Sequence, residues 1–162
     1  MGLVYIVYDH EWRIKLAAKT FQQSVFTANP AVAARFNHEA RIWIDLDLHP
    51  NIAQAVLVKE VHGSPLIFLE FVESDLAAWL ASGRLRNNLP QAVRFAIQFC
   101  DGMTHAYGKG IRAHRDVKPA NCLVSSTGVL KITDFGLASV WNEMRATASR
   151  GNRALACLIH ES

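Results

Sequence analysis

Two short runs concentrate the side chains of this sequence that could act on a reacting group: HRDVKPAN at residues 114–121 and DFG at 134–136. Between them they offer two carboxylates (Asp116, Asp134), an ammonium (Lys118) and a carboxamide (Asn121). That set suits transfer of a phosphoryl group, which asks a protein for little covalent chemistry. It asks instead for an oriented hydroxyl, metal ions across the phosphates and positive charge near the leaving oxygens. Each run is flanked by strand-like sequence. A lone HRD or DFG triplet reads more readily as a solvated turn than as a site, so the signal lies in the two together, in this order.

The elements that must position these residues follow from periodicity. Residues 3–8 and 13–21 are β-branched and aromatic runs joined by the polar stretch Asp9 to Trp12, which predicts a hairpin; 53–61 and 65–72, separated by His62, Gly63 and Ser64, predict a second. Between them Val32, Phe36, Ala40, Trp43 and Ile44 recur at helical spacing from Pro30 until the breaker pair His49 and Pro50, giving one amphipathic helix. From Asp75 the pattern turns helical: a short helix to about Ala81, a polar turn, and a longer helix from Pro90 to about Tyr107. Short strands at 122–124 and 129–132 lead into DFG, and 139–162 reads as loop-like.

In combination these motifs resemble the eukaryotic-type, bacterial-like Ser/Thr protein kinase catalytic domain over roughly residues 1–140. The resemblance implies an α+β, protein-kinase-like bilobal fold that is incomplete, with a small antiparallel β lobe carrying one helix and the first part of a helical C-lobe. Residues 1–72 would be the N-lobe, and 73–162 the start of the C-lobe through DFG and part of the activation segment. The implied cofactors are ATP and Mg²⁺. Asp116 would accept the proton of the substrate hydroxyl, Lys118 would touch the moving phosphate, and Asn121 and Asp134 would hold metal. The eighteen positions from Asp116 to Asp134 leave room for a β-hairpin that brings both acids to one mouth.

Upstream, KLAAKTF resembles the strand whose lysine pairs with the α- and β-phosphates, here Lys19, and Glu39 would be its ion-pair partner on the following helix. LEFV resembles the hinge: backbone groups of Glu70 and Val72 would bind the adenine edge, Leu69 would be the gatekeeper, and Val4, Ala17 and Leu123 would enclose the ring. The start, MGLVYIVYD, resembles the back half of a GxGGMGxVYxxxD loop, which makes Gly2 its last glycine and Met1 an internal methionine. No APE follows DFG. The expectation is therefore a domain cut short at both ends, with phosphotransfer impaired in this chain.

Composition limits the alternatives. A net charge of +3, spread through the chain, argues against a dedicated nucleic-acid binder. The most apolar stretch, Leu66 to Val72, is interrupted by Glu70 and is far shorter than a membrane span. Cys100, Cys122 and Cys157 form no CxxC pair, so a cytoplasmic setting is the default. Cys122 reads as a packing residue rather than a nucleophile, and His114 as a partner of Phe135 and Trp43 rather than an acid or base. The expected partner is a protein presenting Ser or Thr. The rival from another class is a pseudokinase or scaffold that binds partners without catalysis, against which the retained Lys19, Asp116, Asn121 and Asp134 speak. A small-molecule kinase ranks behind both.

Overall fold

The structure, a computed structural model, describes residues 2–28 and 30–135. Met1, Gly136 of the DFG run and the segment 139–162 lie outside the described residues. Strands β1 (Gly2–Asp9) and β2 (Ile14–Phe21) pair antiparallel from Gly2↔Phe21 to Asp9↔Ile14. Asp9 starts their turn by accepting the Trp12 N–H at 2.7 Å. Strands β3 (Ala55–Val61) and β4 (Ser64–Glu70) meet through His62 and Gly63, both at positive φ (49° and 74°). Two left-handed residues give the tight connection whose twist matches that of the strands. The sheet order is β1-β2-β4-β3.

Helices α1 (Gln23–Ala28) and α2 (Pro30–Ile44) join the hairpins. Val32, Phe36, Ala40 and Trp43, at intervals of three and four, form the buried face of α2. Phe36 packs edge-on against Phe21 of β2 at 5.5 Å and against Phe26 of α1 at 6.1 Å. That contact explains why the short α1 forms where the sequence shows no period: its anchor is one aromatic side chain. Trp43 is buried, and its indole N–H donates to the Ala53 carbonyl at 2.9 Å, fixing the end of α2 to the approach of β3.

The second half is built on α3 (Leu76–Ala81) and α4 (Leu89–Gly108), capped by Asp75 accepting from the Ala78 N–H (2.8 Å) and Asn88 from the Gln91 N–H (3.2 Å). A 3₁₀ turn, Pro119–Asn121, leads into β6 (Cys122–Val124), which pairs with β5 (Ser74–Asp75) and β7 (Leu130–Ile132) in the order β5-β6-β7.

Asn51 ties the halves together. Its side-chain amide donates to the Leu130 carbonyl (3.0 Å), and its carbonyl accepts the Ile132 N–H (2.9 Å). Gly102 of α4 faces the same point, where a Cβ would lie 2.7 Å from the Asn51 carbonyl oxygen. Among the described residues no helix is long and apolar enough to cross a membrane.

Candidate active site

The eight residues of HRDVKPAN form a loop folded on itself. Lys118 Nζ lies 2.6 Å from Asp116 Oδ2, and the Asn121 amide donates both to that oxygen and to the Asp116 carbonyl, each at 2.8 Å. Both donors converge on Oδ2. Burial opposes ionisation of Asp116, but the hydrogen bonds from Lys118 and Asn121 outweigh it and hold the carboxyl below the usual carboxylate range. The group is thus a weak base.

His114 fixes this loop to the residue between β7 and the second acid. Its Nε2–H donates to the Thr133 carbonyl at 2.7 Å, which leaves Nδ1 as the acceptor for the Asp116 N–H at 3.3 Å. The ring is buried 4.9 Å from Phe135, and Phe135 lies 6.2 Å from Trp43, so the packing expected of His114 is found together with a bridging role. The Thr133 N–H donates to the Asn121 carbonyl at 3.0 Å. Thr133 thereby joins Asn121 to its neighbour Asp134. The predicted hairpin between the acids is present as β6 and β7, paired Cys122↔Ile132, Leu123↔Lys131 and Val124↔Leu130. Arg115 and Asp134 both adopt left-handed backbone (φ 68° and 69°), a conformation held only where surrounding contacts enforce it.

Lys19 stands on β2 opposite Val4 of β1 and Ile67 of β4; Ala17 stands opposite Ile6 and Leu69. Directly opposed residues share a sheet face, so Val4, Ala17 and Lys19 line one surface with the gatekeeper position Leu69 beside it. Val4 is 60% exposed and Ala17 half-buried, whereas Leu123 belongs to the other sheet. Gly2 pairs with Phe21 at the start of β1. Lys19 meets the carboxylate of Asp134 in a part-buried ion pair, and Glu39 sits half-buried on α2. Asp134 lies two residues past the end of β7.

At the hinge, β4 ends at Glu70 rather than at residue 72, since there the Glu70 N–H turns to the Gln54 carbonyl (2.9 Å). The Glu70 carboxylate accepts from the Gln54 N–H (2.8 Å) and from Lys131 Nζ (2.9 Å), while Val72 lies half-buried just beyond. Lys131, Gln54 and Asn51 went unnoticed in the sequence reading. Lys131 could have been flagged as the polar member of the alternating buried, half-buried, buried strand β7. Cys122 is buried and its thiol is pushed up by burial, consistent with packing.

Two acids, a carboxamide and two ammoniums make a hard-oxygen donor set next to positive charge. Asn121 spends its NH₂ group on Asp116, leaving its amide oxygen for a cation. These residues fit a magnesium ion that takes its remaining ligands from water and phosphate, with the ammoniums matching phosphate charge.

A protein kinase domain family model matches residues 1–154, and the chain belongs to that family. It is 34% identical over 147 residues to a protein described as a probable serine/threonine-protein kinase, PknB, of Lactococcus lactis, covering 91% of this chain and 23% of that protein. A Streptomyces coelicolor protein of the same description is 29% identical over 157 residues (92% and 23%). The yeast MAP kinase kinase kinase SSK2 is 41% identical over 92 residues (56% and 6%). The chain thus spans less than a quarter of the length of each of these relatives.

Proposed function

We propose that this chain carries the nucleotide-binding and catalytic residues of an ATP-dependent protein Ser/Thr phosphotransferase. The observation that carries the reading is the convergence of Lys118 and Asn121 on one carboxylate oxygen of Asp116, joined through Thr133 to an Asp134 that already holds Lys19. Residues 1–72 form its N-lobe and those from 73 onward the start of its C-lobe. Glu70 and Val72 offer backbone groups to the adenine edge, and Val4, Ala17 and Leu123 enclose the ring. Gly2 borders the phosphates. Glu39 steadies Lys19 once that ammonium leaves Asp134 for phosphate.

Asp116 orients the Ser or Thr hydroxyl through Oδ1 and takes its proton late, while Lys118, held beside it, screens charge on the group in transfer. Asn121 and Asp134 hold Mg²⁺, which when bound neutralises charge on the phosphates. The free thiols of Cys100 and Cys122 suit a reducing compartment, and the cytoplasm is the setting we infer.

The test combines calorimetry of Mg-ATP binding to this chain with label transfer from γ-labelled ATP to a Ser/Thr peptide. Transfer is read in a chimera in which the chain replaces the matching segment of the Lactococcus relative. Asp116→Asn should abolish most transfer and leave Mg-ATP affinity nearly unchanged; Asp134→Asn should lose metal-dependent affinity as well. A chimera that binds Mg-ATP yet transfers nothing would place the chain with the pseudokinases. Absence of any metal-dependent nucleotide binding would remove the reading altogether.

A further inference from the structure

We propose that His49 and His105 form an acid-sensitive latch between the α2–β3 connection and α4, closed when His49 is neutral and released when it takes up a proton. The two rings stack at 4.6 Å with planes 27° apart, one from the connection and one from α4. Each has its nitrogens assigned by a neighbour. His105 Nε2 lies 2.6 Å from the Leu46 carbonyl, which can only accept, so that nitrogen carries hydrogen. The Asn51 N–H donates to His49 Nδ1 at 3.1 Å, so that nitrogen must be bare.

Protonating His49 puts a hydrogen on the nitrogen that accepts from Asn51. Two donors then face each other, and the bond is lost. Asn51 is the residue whose amide and carbonyl hold Leu130 and Ile132 of β7, two positions before Asp134. Loss of its local support therefore reaches the strand that ends two residues before the metal-binding acid; this last step rests on the function proposed above.

The charged groups around the pair favour the neutral form on balance. Burial holds His49 below the ordinary imidazole range, His105 beside it and Lys131 on β7 add to the effect, and Asp101 on α4 opposes it. Asp47, on the same connection, is engaged by Lys109, the residue that caps α4, and Glu70 of β4 by Lys131, so two of the nearby carboxylates are already paired. Solvent protons reach the site through a cavity of about 300 Å³ lined by His49, Pro50, Gln54, Glu70 and Lys131.

The sign follows from proton counting. The folded chain binds fewer protons at His49 than the unfolded chain, so the latch contributes fully above pH about 6.5. Its contribution is lost as pH falls through the lower, folded-state titration. Urea unfolding of the chain from pH 7.5 to 5.5 tests this against two variants that keep the hydrogen bonds without titrating. Asn in His49→Asn offers an acceptor oxygen at the place of Nδ1, and Gln in His105→Gln offers a donor at the place of Nε2.

The ratio of folded to unfolded wild type should drop relative to His49→Asn on acidification, tenfold for each pH unit separating the two titrations. Equal pH dependence of wild type and His49→Asn would overturn the proposal. So would nitrogen-detected NMR of the wild type showing hydrogen on His49 Nδ1 at pH 7.5, or a His49 titration at or above 6.5, a measurement that stands even if a variant fails to fold. Mg-ATP affinity, followed over the same range in wild type and His49→Asn, separates the two layers. Loss of the pH difference in unfolding refutes the latch, whereas absence of ATP binding in both proteins at pH 7.5 refutes only the nucleotide reading.

Discussion

Replacing Gly102 by Ala probes the contact on which the two halves of the chain turn. A Cβ there would lie 2.7 Å from the Asn51 carbonyl oxygen and 2.9 Å from Ile132 Cδ1, so both contacts must be relieved. The isoleucine methyl can rotate away, but the oxygen is held: it accepts the Ile132 N–H at 2.9 Å, and the Ile132 carbonyl in turn accepts the Ala53 N–H at 2.8 Å. Overpacking of this kind costs about 1–3 kcal/mol. Against it stands the helix preference of Ala over Gly, worth about 1 kcal/mol in a helix interior. With a rigid backbone oxygen as the obstacle, the upper part of the range applies and the net loss should be about 1–2 kcal/mol. With a urea m-value of about 2 kcal/mol per molar, that lowers the unfolding midpoint by roughly 0.5–1 M at unchanged slope. Gly108, the last residue of the same helix, has open space around its Cα, and Gly108→Ala should be neutral or mildly stabilising. If Gly102→Ala unfolds at the wild-type midpoint or above it, the close approach of α4 to Asn51 is not the constraint argued here.

Other outcomes follow from the same contacts. Trp43→Phe keeps most of the buried ring but orphans the Ala53 carbonyl, and thermal unfolding should report a loss of about 1–3 kcal/mol. Asp116 has its ionised form favoured in the folded chain, so that contribution is present above pH about 4 and is lost as pH falls through the lower folded-state value. Asn121→Ala removes one of the two donors responsible; carboxyl-detected NMR should then find the Asp116 titration moved upward, and an unmoved titration would count against the hydrogen bond as its cause.

What could be read from the sequence depended on how local its cause was. Helix α2 showed itself because Val32, Phe36, Ala40 and Trp43 repeat at the helical period behind a Pro, and both hairpins because β-branched runs flank polar turns. Helix α1 has six residues and β5 two, too few for any period to appear; each exists because of a partner, Phe36 for the first and β6 for the second. The end of β4 moved because Gln54, sixteen positions away, captures Glu70. The chemically active side chains were legible by type and order. Their pairing was not: Lys19 and Asp134 are 115 positions apart, so their meeting depends on how β2 and the end of β7 are brought together, not on the motif around either residue.

The Lys19–Asp134 ion pair has a consequence for the order in which ligands can be loaded. A carboxylate that already has an internal counter-ion is a poor seat for a free divalent cation, because the incoming charge would be pressed against the ammonium. Polyphosphate alone meets the converse difficulty, drawn by Lys19 but repelled by Asp134. Only when both arrive together can each take one half of the pair, the phosphates taking the ammonium and the cation the carboxylate. On the function proposed above, the internal ion pair would make metal and nucleotide companions: the affinity of each would be conditional on the other, and by reciprocity to the same degree.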